Sequence, residues 1–149
     1  MTTTSTRSEP ADLGSRLVAL VVDAVAVVLL LTPLALLANA VGAGVPGSFE
    51  VVLLWFVYRS VADGLGGSPG KRLLGLRIVG PQGRRPGLGA GAARNLWALS
   101  ALLPVLLPPT VGNALAVGVS VVVAVTIARD VGERGWHDRL AGTAVRRPA

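Results

Sequence analysis

Apolar residues fall into three runs along the chain, and this pattern predicts helices that cross a membrane. The first run covers residues 13–45 and contains only two charges, Arg16 and Asp23. A helix over residues 15–40 would be roughly 39 Å long at about 1.5 Å per residue, enough for a hydrocarbon core of about 30 Å. A cleaved signal peptide is the alternative, because Ala38-Asn39-Ala40 resembles a cleavage site. The apolar run is, however, longer than the usual 7–15 or so residues of a signal sequence.

The second run is short and has a charge near each end. A helix over residues 47–64 would place Glu50 at one interface and Arg59 close to the other. A long arginine side chain can reach the interface from such a depth. We therefore predict a second span here.

The third run, residues 95–128, contains no charge. One helix of this length would measure roughly 51 Å, well beyond the core, and Pro104, Pro108 and Pro109 interrupt it. Proline breaks helices because it lacks the amide hydrogen. We predict a helical hairpin with spans at residues 94–108 and 112–128. A single kinked, tilted helix is the alternative.

The polar segments complete the predicted organisation. Residues 1–12 are rich in Thr and Ser and predict a disordered tail. The connection at residues 63–94 carries six basic side chains and one acid, Asp63. Within it, an apolar stretch at residues 73–79 is followed by Gly80-Pro81-Gln82-Gly83, which predicts a short hairpin-like loop at the membrane surface. The predicted fold is an all-α, integral membrane bundle of two helical hairpins over residues 13–145, with a short tail at residues 146–149.

The distribution of arginine predicts the orientation. Basic segments remain cytoplasmic in multi-pass proteins, so the loop at residues 63–94 and both termini are expected inside a bacterial plasma membrane. The uncharged turns at residues 41–48 and 108–113 suit the outer side. Two cytoplasmic segments require an even number of crossings between them, which favours four spans. We expect anionic lipid at the cytoplasmic face and either a homo-oligomer or a membrane partner.

Composition agrees with a membrane setting and excludes several kinds of site. Hydrophobic residues make up 52% of the 149 residues and charged residues 15%, against about 25% charged in soluble domains. The chain has no cysteine and one histidine, so we expect no thiol or multi-histidine metal site and no cofactor. The net charge is +6, and the basic side chains lie in the segments between the apolar runs. These segments lack the aromatic side chains on which single-strand binding proteins stack bases. Nucleic acid is therefore not expected as a partner.

Charges within the apolar runs are the candidate functional residues. An ionised side chain at mid-bilayer costs at least about 2.5–3.5 kcal/mol, so Asp23 needs a partner, a wet cavity or a changed protonation state. Arg16 lies two helical turns earlier, and Arg59 is at a similar predicted depth. We predict a direct or water-bridged Asp23–Arg59 pair, which either locks two helices together or tunes Asp23 as a cation or proton site. Alternatively, Arg59 pairs with Asp63 four residues later.

Two motifs that suggest chemistry lack the residues that the chemistry needs. Ser68-Pro69-Gly70-Lys71 is not a phosphate loop, because Leu65 replaces the required first glycine and Arg72 follows the lysine. Trp136-His137-Asp138-Arg139 has no marked nucleophile to form a hydrolase triad. We expect Trp136 to anchor at the interface and Asp138 to cap a following turn or pair with an arginine of the cytoplasmic loop. No enzymatic activity is predicted.

Several motifs together resemble the RDD family of bacterial membrane proteins, named for an arginine and two aspartates. The arginine that opens the family's first helix and the aspartate within that helix match Arg16 and Asp23, and we assign the second aspartate to Asp138. Three further motifs are similar: Ser68-Pro69-Gly70-Lys71-Arg72, Arg94-Asn95-Leu96 and His137-Asp138-Arg139-Leu140-Ala141-Gly142-Thr143. The resemblance covers residues 13–145. The departures are Ser68 in place of the more usual threonine and the proline-rich region after Pro104.

The resemblance implies a membrane location and a helical architecture, and it does not define a reaction. Transport of an undefined ligand is suggested for the family, and cation/proton antiport is attributed to some members. The first hypothesis is a small transporter that uses Asp23 as its ion-binding carboxylate. The alternative is a non-transporting scaffold or accessory subunit whose buried charges hold the helices together. A dry, paired Asp23 favours the scaffold, and an Asp23 that lines a wet cavity favours transport.

Overall fold

Three long helices dominate the computed structural model, which describes residues 8–43 and 47–148. They are α1 (Leu13–Ala40), α2 (Ser48–Gly64) and α6 (Pro109–Ala128). Among the described residues, α1 and α6 are long and apolar enough to cross a membrane, with mean hydropathy of 2.6 and 2.2. Most of their apolar side chains face outward, as lipid contact requires. The helix α2 has 17 residues, and a bundle of four spans is not confirmed.

The third apolar run is broken where its prolines predicted a break. Its first part comprises α4 (Leu88–Asn95), a 3₁₀ helix (Leu96–Leu102) and the single turn α5 (Leu103–Leu106). The chain then leaves the helical conformation at Leu107 and starts α6 at Pro109, so α6 packs back against α5 and the 3₁₀ helix. The residues of the predicted span 94–108 are helical as far as Leu106, but in α-helical and 3₁₀ segments and not as one regular α-helix. Pro104 lacks the amide hydrogen that a continuous α-helix would need.

A small antiparallel sheet, of which only one strand was predicted, joins distant parts of the chain. It contains β1 (Glu9–Pro10), β2 (Arg77–Val79) and β3 (Ala144–Arg147) in the order β1-β3-β2. The strand in the basic loop was predicted, but its expected hairpin partner was wrong. After a turn over Pro81–Gly83 the chain continues through Pro86, which cannot donate a ladder hydrogen bond, and β2 pairs with β3 instead.

Both predicted tails are partly ordered by this sheet. Glu9 and Pro10 pair with Arg147 and Arg146, so the prediction of disorder over residues 1–12 is wrong from Glu9 onward. Residues 1–7 lie outside the described part of the chain. The predicted C-terminal tail at residues 146–149 likewise begins within β3. Burial of apolar surface explains the order, because Ala11, Ala19, Leu76, Ile78 and Val145 form one compact core beneath the helices.

Two short helices pack against the other helices. The helix α3 (Pro69–Leu73) packs against α1, and α7 (Trp136–Leu140) packs against α4 and α6. Both bring polar side chains from the loops to the helix ends. This arrangement builds the site described next.

Candidate functional site

A cluster of buried charges joins α1, α2, α3, α4 and α7. It contains three carboxylates, Asp23, Asp63 and Asp138, each with 0% exposure. The surrounding basic side chains are also buried: Arg16, Arg59, Lys71 and Arg94. We call these seven residues the charge cluster. All of the predicted site residues lie in or against it, including Gly70 and His137.

Asp23 is fully engaged by neighbouring donors. Arg59 donates from Nη1 to Asp23 Oδ2 at 3.2 Å, the Tyr58 hydroxyl donates to Oδ1 at 3.1 Å and the Gly70 amide donates to Oδ1 at 2.8 Å. The predicted Asp23–Arg59 pair is therefore confirmed as a direct ion pair. Arg59 makes it across two helices and does not pair with Asp63, the alternative partner four residues away.

The glycine of the Ser-Pro-Gly-Lys motif is needed because α3 approaches α1 very closely. A Cβ atom on Gly70 would lie 2.9 Å from Asp23 Oδ1 and even closer to the Ala19 carbonyl oxygen. Pro69 starts α3 within its first turn, where a missing amide hydrogen costs no helical bond. The loop thus directs the Gly70 amide toward one carboxylate and the Lys71 side chain toward another.

Asp63 is the second carboxylate of the charge cluster, and sequence reasoning missed it as a site residue. It accepts from Lys71 Nζ at 2.5 Å, from Arg94 Nε at 3.0 Å and from Asn95 Nδ2 at 3.1 Å. The available signal was its isolation as the only acid among six bases in residues 63–94. Burial lowers the pKa of the Lys71 ammonium to about 7, and the facing Asp63 carboxylate opposes this shift.

Asp138, which lies in α7, connects the C-terminal part of the chain to α1 and α4. Arg16 donates to its Oδ2 at 2.7 Å, and Arg94 pairs with its Oδ1. The Gly135 amide donates to Oδ2 at 3.3 Å, so Asp138 also caps α7. The predicted pairing with a loop arginine is confirmed, whereas the capping bond comes from the preceding Gly135 and not from a following turn. Burial raises the pKa of Asp138, but Arg94, His137 and Arg16 outweigh burial and hold the pKa below its usual value.

Arg94 is the bridge of the charge cluster. It donates from Nε to Asp63 and from Nη1 to Asp138 and to the Thr143 hydroxyl. Arg16 has a similar reach at the start of α1, since it also donates to the carbonyl oxygens of Ala11 and Glu133. The arginine fork suits such multiple bonding because its donors lie in one plane.

The single histidine lies at the edge of the charge cluster. His137 Nε2 is 3.7 Å from Asp138 Oδ1, and burial lowers the pKa of His137 to about 4. The imidazole is therefore neutral at pH 7. Within residues 8–43 and 47–148, no group of three or more histidine or acidic side chains is placed to hold a metal ion. The cluster joins five helices through buried ion pairs.

Comparison with known proteins agrees with the motifs. The RDD family model matches residues 10–142, which includes every member of the charge cluster. No curated protein and no solved structure shows significant similarity to the chain. The arginine at the start of α1 and the aspartate within α1, which suggested the family, both lie in the buried cluster. The chain belongs to the RDD family and is a membrane-type domain with two long apolar helices.

Proposed function

We propose that this RDD-family domain is a non-transporting membrane scaffold or accessory subunit. The observation that carries the proposal is the state of Asp23, the carboxylate on which cation or proton transport would depend. It is fully buried and accepts hydrogen bonds from Arg59, Tyr58 and the Gly70 amide. A cation would have to displace the Arg59 guanidinium to reach it.

The energetics of buried ion pairs support a structural role for this carboxylate. Removing one partner of such a pair leaves an uncompensated charge and typically costs about 3–5 kcal/mol. A carrier cycle that separated Asp23 from Arg59 would meet a cost of this order at every turnover. By contrast, a scaffold keeps the pair intact, and the pair joins α1 to α2.

The surface beside the sheet supports the same proposal. Four exposed arginines, Arg72, Arg77, Arg84 and Arg85, line a groove of about 490 Å³ next to β2. Basic segments beside membrane helices are attracted to anionic lipid at the cytoplasmic surface. In this proposal the groove faces the cytoplasmic leaflet of a bacterial plasma membrane, both termini lie inside, and a membrane partner or a second copy docks on the outer helix faces. No catalytic step is part of the proposal.

Ion flux in proteoliposomes tests it. The native full-length protein is reconstituted, and sodium, potassium and proton gradients are imposed in turn. We expect flux equal to that of protein-free liposomes. Asp23→Asn tests the cluster carboxylate, and Glu50→Gln is the matched control, because Glu50 is an exposed acid on a neighbouring helix.

One pattern of results would overturn the proposal. It is native flux above background that Asp23→Asn abolishes and Glu50→Gln retains, with all three proteins folded by circular dichroism and size-exclusion chromatography. Background flux from folded native protein under every gradient supports the scaffold.

A further inference from the structure

A small cavity with a basic end lies beside the charge cluster. It has a volume of about 180 Å³. The basic side chains that line it are Arg16, Arg59, Lys71 and Arg94, joined by the imidazole of His137. Each of these five side chains is more than nine-tenths buried. None of the three cluster aspartates lines the cavity, so its polar wall is positive.

Several donors of this wall are unused. Within the described residues, Arg59 donates only through Nη1, and Arg94 donates through Nε and Nη1. Lys71 uses one of its three hydrogens, toward Asp63. Arg59, Arg94 and Lys71 all line the cavity, so these unused donors are available to an acceptor that enters it. His137 Nδ1 is buried without a hydrogen-bond partner.

The charges that line the cavity favour an anion as the acceptor. Four basic side chains line it, whereas the three cluster carboxylates and Glu133, whose charge acts on Arg16, do not. Arginine and lysine recognise phosphate oxygens by charge-assisted hydrogen bonds, and arginine does so through two parallel bonds. A tetrahedral phosphate could accept from several of these donors at once.

Apart from Asn95 and Ser120, the remaining walls of the cavity are apolar and reach the lipid-facing surface. They come mainly from α1 and α6, the two helices long enough to cross a membrane. Leu17 lines the cavity and is 48% exposed on the outer face of α1. Ala124 and Val123 contribute the opposite wall from α6. An occupant could therefore place a polar head against the basic end and an acyl chain along these helices.

We infer that the cavity binds the phosphate head of an anionic membrane lipid, with its acyl chain along α1 and α6. A water molecule occupies about 30 Å³ in the liquid, so the cavity has room for roughly six waters. This matches a phosphate monoester better than a large sugar head group. Basic pockets between membrane helices bind anionic head groups in general. The inference goes beyond the scaffold proposal and depends only on the membrane setting of the domain.

Photocrosslinking tests the inference with the full-length protein in phosphatidylcholine nanodiscs. A small fraction of photoactivatable phosphatidic acid, with the reactive group on its acyl chain, is the probe. We expect one lipid crosslinked per chain, on peptides of α1 and α6. Ala124→Leu and Ser120→Leu narrow the cavity without touching the ion pairs, and each should reduce the crosslinking about tenfold.

Matched controls decide the interpretation. Ala114→Leu makes the same change on an exposed part of α6 that does not line the cavity, and it should crosslink like the native protein. Equal crosslinking of native protein, Ala124→Leu and Ser120→Leu would overturn the site. Equal crosslinking by a photoactivatable phosphatidylcholine would overturn its selectivity for an anion. Full competition by inorganic phosphate alone would overturn the lipid assignment in favour of a free-anion site.

Discussion

Arg16 and Asp138 form a buried ion pair of 2.7 Å across 122 positions of the chain. Arg16 lies in the first turn of α1, and Asp138 lies in α7 close to the C-terminus. The pair therefore closes the domain, because it connects the first long helix to the segment that follows the last one. Arg94 binds the other oxygen of the same carboxylate.

The first prediction concerns Arg16. We expect Arg16→Gln to lower the free energy of unfolding by about 3–5 kcal/mol, because Asp138 stays buried with one ionic partner fewer. Arg139→Gln is the matched control, since Arg139 is exposed and pairs with Asp130 at the surface. The free energy of unfolding of Arg139→Gln should fall by no more than about 1 kcal/mol. Denaturant unfolding in detergent, followed by tryptophan fluorescence, measures both. Equal losses would contradict the assigned role.

The second prediction separates the contacts of Asp63. Asp63→Asn leaves Lys71 buried without its carboxylate and should be strongly destabilising. Lys71→Met should cost less, because Asp63 keeps Arg94 and Asn95 as partners. The double variant should lose less stability than the sum of the single losses, with a coupling of about 1–3 kcal/mol.

A distant pair provides the control for this cycle. Asp63→Asn combined with Arg139→Gln should be additive within about 0.5 kcal/mol, because the two sites share no partner. Additive losses for Asp63→Asn and Lys71→Met would mean that the 2.5 Å contact contributes nothing to stability. Unfolding free energies of the native, single and double variants settle the point.

The site was predictable where the physics of a charge in lipid applies. Asp23 and Arg59 stood out because each interrupts an apolar run, and comparable depth in antiparallel helices placed them together. Asp63 did not stand out, because it begins a hydrophilic segment in which an acid is ordinarily solvated. Its burial depends on Lys71 and Arg94, which approach it only after α3 and α4 fold over the end of α2.

The fold was predictable where the signal was local. The apolar runs predicted the bounds of α1 and α2 to within about two residues, and the prolines predicted the break before α6. The sheet was not predictable in this way, because β3 brings together residues 77–79 and residues 9–10 from opposite ends of the chain. A short strand specifies its face through alternation, but it does not specify a distant partner. The turn after Val79 was therefore interpreted as a hairpin.

The third prediction concerns two glycines on the same short helix, α4. A Cβ atom on Gly91 would overlap the Ser60 carbonyl oxygen and lie 2.9 Å from Gly64 Cα. Gly91→Ala should therefore push α4 away from α2 and cost about 1–3 kcal/mol. At Gly89 a Cβ atom would meet nothing within 4 Å, so Gly89→Ala should stabilise the protein by about 0.4–1 kcal/mol. Thermal unfolding of the two variants measures the difference, and a loss of equal size at both positions would exclude close α2–α4 packing as the cause.

The fourth prediction is a pH dependence that arises from His137. Burial lowers the pKa of His137 from 6.5 to about 4. Between these pH values the unfolded chain binds a proton that the folded chain does not, so stability falls as the pH falls through this window. The slope should approach about 1.4 kcal/mol per pH unit, with a total loss on the order of 3 kcal/mol.

The loss of stability in this pH window can be assigned to His137 because the chain contains one histidine. His137→Gln places a neutral side chain at the same position, and its unfolding free energy should vary much less between pH 6.5 and 4.5. Asp138 contributes in a different range, since its pKa is held below its usual value and its stabilising effect is lost only at still lower pH. An equally steep slope in the native protein and in His137→Gln would show that acid destabilisation comes from carboxylates instead. Urea titrations at several pH values in one detergent distinguish the two results.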